Sequence, residues 1–279
     1  MPSQRIARSR GKLTAIGLAV ALTVPGLVAR IAGLHPEPWI AAALYGLAVV
    51  GSAFLLAWAA EVVQLDVSQG LALALLALIA VLPEYAVDFV FSWKAGKDPH
   101  QYAPLALANM TGGNRLLIGV GWSLVVFLAA WKMRRIADRE HYEGEVDTEV
   151  HLERTHSIEI AFLLIATAYS LTLPFKHTIT LADSAVLIAI FLAYLWRLTR
   201  APADTPDLVG PAELIGALPQ RTRRILIVLM FVFAAAVILL CADNFAESLV
   251  ETGSQLGVSK FLLVQWLAPL ASEAPELIV

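Results

Sequence analysis

Between Leu71 and Trp93 an apolar run long enough to cross a bilayer as a helix carries Pro83, Glu84 and, one turn further on, Asp88. An ionised carboxylate at mid-bilayer costs on the order of 2.5–3.5 kcal/mol by insertion scales, so it must face a cavity or a partner. Pro83 has no N–H and frees the carbonyl four residues earlier, at Ile79. A free carbonyl beside carboxylates is the oxygen-donor set that suits a hard cation. Taken alone, the run also fits a kinked span whose acids pair with a nearby base.

A second copy narrows the reading. Phe54 opens the pattern F-x9-Q-L-x-V-S, closed by Gln64, Leu65, Val67 and Ser68. Phe245 opens it again, closed by Gln255, Leu256, Val258 and Ser259. Pro83-Glu84 follows the first copy, and Pro275-Glu276 follows the second with one extra residue between. Such an internal repeat is a construction common among secondary transporters.

With 58% hydrophobic residues, a mean hydropathy of +0.71 and recurrent apolar runs, the chain reads as an all-α polytopic membrane protein. A basic cytoplasmic tail (1–11) leads into an extra N-terminal span or signal anchor (12–33), whose length and internal Pro25 favour retention over cleavage. Residues 39–131 hold the first repeat with its broken Pro-Glu helix. A charged cytoplasmic loop (132–157), two spans (158–198), a cytoplasmic linker (199–224) and an incomplete second repeat (225–279) follow, for about eight crossings. The tail with Lys12 just behind it and the segments at 132–157 and 197–224 lie on one side and carry 14 of the 20 Lys and Arg. The positive-inside rule makes that side cytoplasmic, in the plasma (inner) membrane. The repeats begin an odd number of crossings apart, so they are inverted, which places a binding site where the broken helices meet.

With both repeats placed, the chain resembles the cation/calcium exchanger superfamily, which includes the sodium/calcium exchangers. The likeness lies in IAVLPEYAVDF at 79–89, LANMTGGNRLLIG at 107–119 and LAPLASEAPELIV at 267–279. It implies an antiporter that exchanges Ca2+ or a similar cation for Na+ or H+ by alternating access, with no cofactor and no enzymatic activity. It also implies that Glu84 and Glu276 are the central metal ligands, from opposite halves. Asn109 and Asn114 of the companion helix, Ser272 and Glu273 complete the implied cation-binding set.

Several positions depart from the family pattern. Ala80 and Val81 replace hydroxyls before the first Pro-Glu, Gly113 replaces a serine, and Leu117 stands in a polar position. Sodium in the family is held largely by such oxygens, so proton and sodium both stand as counter-ions. Glu273 adds an acid, and Arg115 adds a fixed positive charge. Arg115 either pairs with Asp88 or Glu273, or occupies a cation position itself; the latter would make the protein a degenerate, non-transporting relative. Asp88 shares a face with Glu84 and serves either as a proton-carrying neighbour or as the partner of Arg115. Because the chain stops at Val279, three residues past Glu276, it reads as a fragment.

The other signals are bland. His141, His151 and His156 lie in the mixed-charge loop without a zinc or EF-hand spacing. His35, His100 and His177 fall in loops, and Trp39, Trp93, Trp131 and Trp196 suit interfacial anchors. One cysteine, Cys241, excludes an intramolecular disulfide. A net charge of −3 argues against nucleic acid, leaving inorganic cations and the lipid bilayer as the expected partners.

Overall fold

A computed structural model describes residues 2–66, 78, 81–140, 157–176, 178–198, 200 and 208–278, with backbone alone for 2–10, 137–140 and 278. These residues fall into two compact units. The first comprises 1–66, 77–127 and 206–279; the second comprises 67–76 and 128–205. Among the described residues six helices are long and apolar enough to cross a membrane, and none of the described elements is a strand. The chain is an integral membrane protein. At the two other expected crossings, the described helices Leu82–Lys97 and Lys260–Ser272 are 16 and 13 residues long.

Helix α1 (Pro2–Ile31) runs through Pro25, and the expected 1–11 tail is its first part. It packs along α2 (Pro38–Val63) at glycines. A Cβ on Gly26 would lie 2.8 Å from Ala48 Cβ, and one on Gly51 would run into the Ala19 carbonyl. Lipid is as apolar as a leucine side chain, so burial does not drive this association. Close backbone approach and dispersion do.

Helix α3 (Leu82–Lys97) starts at the first Pro-Glu, and α4 (Pro99–Asn114) follows after Asp98. Asp98 caps α4 by accepting from the Gln101 N–H at 3.2 Å, with Pro99 in the first turn, where its missing N–H costs nothing. A π-turn, Arg115–Gly121, interrupts what the sequence suggests is one long apolar segment, and α5 (Trp122–Glu140) continues into the second unit.

The second unit also holds α6 (Ser157–Ser170), a 3-10 turn (Leu173–Phe175) and α7 (Leu181–Leu198). Asp183 locks the α6–α7 connection. It accepts from the Tyr169 hydroxyl (2.7 Å), from Lys176, and from both the N–H and Oγ1 of Thr180 (2.8 Å each). His141, His151, His156 and His177 lie outside the described residues.

Back in the first unit, α8 (Pro211–Gly216) precedes α9 (Gln220–Leu256), α10 (Lys260–Ser272) and the short α11 (Ala274–Ile278). Helices α2 and α9 lie side by side and antiparallel. Gly46 near the start of α2 meets Phe245 late in α9, whereas Leu55 and Leu56 pack with Ile227 and Met230 near the start of α9. Phe54 and Phe245 therefore head strands of sequence running in opposite directions, the inversion expected from the repeat. Gly257, at φ +65°, ends α9 with its N–H on the Gly253 carbonyl, a left-handed cap that glycine adopts without steric cost. Ser259, the last residue of the second copy, then caps α10 by accepting from the Leu262 N–H at 3.5 Å. Its counterpart Ser68 lies outside the described residues.

Candidate cation site

Both Pro-Glu pairs begin new helices. Pro83 sits in the first turn of α3, and Pro275 opens α11 in the same way. Ile79, whose carbonyl Pro83 would free, and Ala80 lie outside the described residues. Glu84 and Glu276 thus fall in the first turns of their helices, where the unpaired N–H groups and the helix dipole favour negative charge.

The chain also turns at Glu273. Pro275 has no N–H to give the Ala271 carbonyl and its ring crowds that turn, and α10 stops at Ser272, with Glu273 at φ −106°, ψ 11°. The Glu273 N–H closes on the Pro269 carbonyl at 2.8 Å, and the side chain is buried. It points at Gly113 on α4, where Glu84 Oε1 also arrives, and the two carboxyl groups are within hydrogen-bonding reach of each other. Carboxyls from the two repeats therefore meet over a bare stretch of helix.

The acid touching Glu84 is Glu273, whereas the motif pattern points to Glu276. Glu276 is exposed in the first turn of α11, near enough to act on both carboxyls through its charge. One helix break three residues earlier makes the difference.

Asn109, 1% exposed, donates through Nδ2 to Asp88 Oδ1 at 2.6 Å, and its own Oδ1 has no partner. Asp88 is thus tied to the companion helix. Arg115 is exposed, and among the described residues it makes no ion pair with Asp88 or Glu273. Of the two readings of Arg115, the structural bridge is therefore not found among the described residues. Asn114 is exposed as well, and among the described residues no hydrogen bond joins its side chain to either carboxyl. Ser272 is buried and donates to the Ala268 and Pro269 carbonyls at 3.2 and 3.3 Å, which leaves its oxygen able to accept or ligate.

Two buried features escaped the sequence reading. Gln265, 4% exposed, has an unpartnered Nε2, and Pro269 withholds the N–H that would bond its backbone carbonyl. That carbonyl lies against Gly112 where α10 crosses α4. A proline four residues after a polar residue in an apolar run was the available signal.

The donor set suits a hard cation. Glu273 Oε2 and Asn109 Oδ1 are buried oxygens without partners, and an orphaned buried acceptor calls for a ligand. Carboxylate and amide oxygens are what Ca2+ takes, with flexible geometry and high coordination number. Among the described residues no three His, Cys, Asp or Glu side chains converge as a metal-holding group, so neutral oxygens would have to share the shell.

Residues 37–200, more than half of the chain, match the sodium/calcium exchanger protein family. The fold is similar to a solved structure described as the crystal structure of H+/Ca2+ exchanger CAX, with 40% identity and a TM-score of 0.85. That match covers 97% of this chain and 65% of the other, so the chain spans less than two thirds of its length. A search of curated proteins found no match.

Proposed function

Because the chain belongs to the sodium/calcium exchanger family, we propose that it forms the cation-carrying part of a secondary antiporter that moves Ca2+ or a similar cation against protons. The observation that carries this reading is the meeting of Glu84 and Glu273, one from each inverted repeat, over Gly113, with the orphaned Oδ1 of Asn109 on the same helix one turn earlier. A cation between the two carboxyls would hold the repeats together through shared ligands. Without one, two carboxyl groups in hydrogen-bonding contact need a proton between them, because two bare carboxylates repel. The empty site crosses reluctantly, which is what couples one ion to the other.

Two things support the proton over sodium. The similar solved structure is described as an H+/Ca2+ exchanger. The neutral hydroxyls that would serve sodium are also scarce, with Val81, Gly113 and Leu117 standing in their places. The same reading places Glu276 beside the path of the ion, Ser272 in the ligand shell, and Asp88 as the holder of Asn109. Basic loops face the cytoplasm of the plasma membrane. The exposure of Arg115 speaks against the degenerate alternative, in which its guanidinium fills the site.

The test is Ca2+ flux into proteoliposomes under an imposed pH or sodium gradient. Flux driven by pH, lost in both Glu84→Gln and Glu273→Gln, is the expected result. Each variant should weaken Ca2+ affinity by on the order of tenfold or more, at 1.4 kcal/mol per decade. Undiminished flux in either variant would refute the ligand assignment, and current without a counter-ion would point to a channel.

A further inference from the structure

We propose that Gly113 is a positioning residue, which admits the Glu273 carboxyl to the site by having no side chain. This rests on the antiport reading above. Gly112 and Gly113 are adjacent, buried and helical, and neither has a positive φ, so backbone freedom does not explain either one. What a Cβ would meet separates them. At Gly112 it would strike the backbone carbonyl of Gln265 and come within 2.8 Å of Pro269 Cγ, which only a shift of the α4–α10 crossing could relieve. At Gly113 it would strike Glu273 Oε1 and stand 3.1 Å from Glu273 Cδ and 3.2 Å from Glu84 Oε1.

The second clash is with the tip of a flexible side chain. It is relieved by moving a carboxyl, with no helix displaced. The backbone of Glu273 is held by its bond to Pro269 and by buried neighbours, Ser272 and Ala274, so the rest of the residue stays in place. A methyl group at 113 therefore leaves the fold intact and evicts an oxygen from the meeting point with Glu84. Gly112 keeps two helices close, whereas Gly113 keeps a seat open for a ligand. Shortening the evicted acid by one methylene should restore the room, so the two positions are coupled.

The experiment compares wild type, Gly113→Ala, Glu273→Asp and the double variant, with Gly112→Ala as the packing control. Gly113→Ala is expected to keep the wild-type melting temperature in detergent while raising KM for Ca2+ about tenfold. The double variant should bind Ca2+ better than Gly113→Ala alone, and Gly112→Ala should lower the melting temperature. An unchanged KM in Gly113→Ala, or a loss in the double variant that is the sum of the two single losses, would overturn the proposal. Equilibrium dialysis with radioactive Ca2+ reads Kd without transport. A wild type that binds but does not exchange would sink the antiport reading, while the Kd values still decide on Gly113. A wild type that neither binds nor exchanges overturns both.

Discussion

Asn109 shows how much hangs on single atoms. Its Nδ2 is spent on Asp88, which fixes the amide with Oδ1 facing away and unpartnered. Asn109→Ala removes that oxygen and leaves Asp88 without its donor. The expected cost is about 1–3 kcal/mol in stability, read as a lower melting temperature, together with weaker Ca2+ binding. Arg115→Ala, by contrast, should leave Ca2+ flux close to wild type, because the guanidinium is exposed and makes no ion pair among the described residues. Loss of flux in that variant would return Arg115 to the site. Glu276→Gln belongs between these cases. Its charge reaches Glu84 and Glu273 but its carboxyl does not touch them, so flux should fall less than in Glu273→Gln.

At the scale of elements, the prolines decide where helices break and the glycines decide how closely they approach. Pro83 and Pro275 start helices, and Pro269 sits inside α10, where it withholds the N–H for Gln265. Helices α1 and α2 touch through Gly26 and Gly51, and α2 and α9 through Gly46 against Phe245. Gly51→Leu is expected to force α1 away from α2 at a cost of about 1–3 kcal/mol, measured as earlier thermal unfolding in detergent. Equal stability would mean that the α1 contact contributes nothing.

For the whole molecule, the ends of the helices matter as much as the membrane interior. At the end of α2, Asp66 accepts from Arg223 Nε and Nη2 at 2.7 and 2.8 Å, and from Arg224 and Gln220 at 3.2 Å each. The Arg223 guanidinium holds the Asp66 carboxyl well below the ordinary carboxylate value of 3.8. A lowered value in the folded state means that this clamp stabilises fully above about pH 4 and is lost as pH falls through the folded value. Asp66→Asn should cost about 2 kcal/mol at neutral pH and flatten the acid side of the stability profile, measured by thermal unfolding between pH 7 and pH 3. Sidedness has its own test in a Cys241→Ser background. A cysteine at Arg200 should react with an impermeant thiol reagent from the cytoplasm, and one at Lys176 from the opposite side.

Period and composition alone carry the membrane class and the all-α fold, because a bilayer tolerates few spanning structures and twenty apolar residues announce one. The repeat of Phe54–Ser68 in Phe245–Ser259 likewise announces the inversion, since two similar segments an odd number of crossings apart have no other orientation. Which acid faces Glu84 was not legible, because Glu273 and Glu276 differ only by where the backbone turns. That turn depends on Pro275 withholding an N–H from the Ala271 carbonyl and on the Pro269 carbonyl accepting the Glu273 N–H. The seat over Gly113 was equally hidden, since a missing side chain becomes a property of the site only when another helix brings a carboxyl to it.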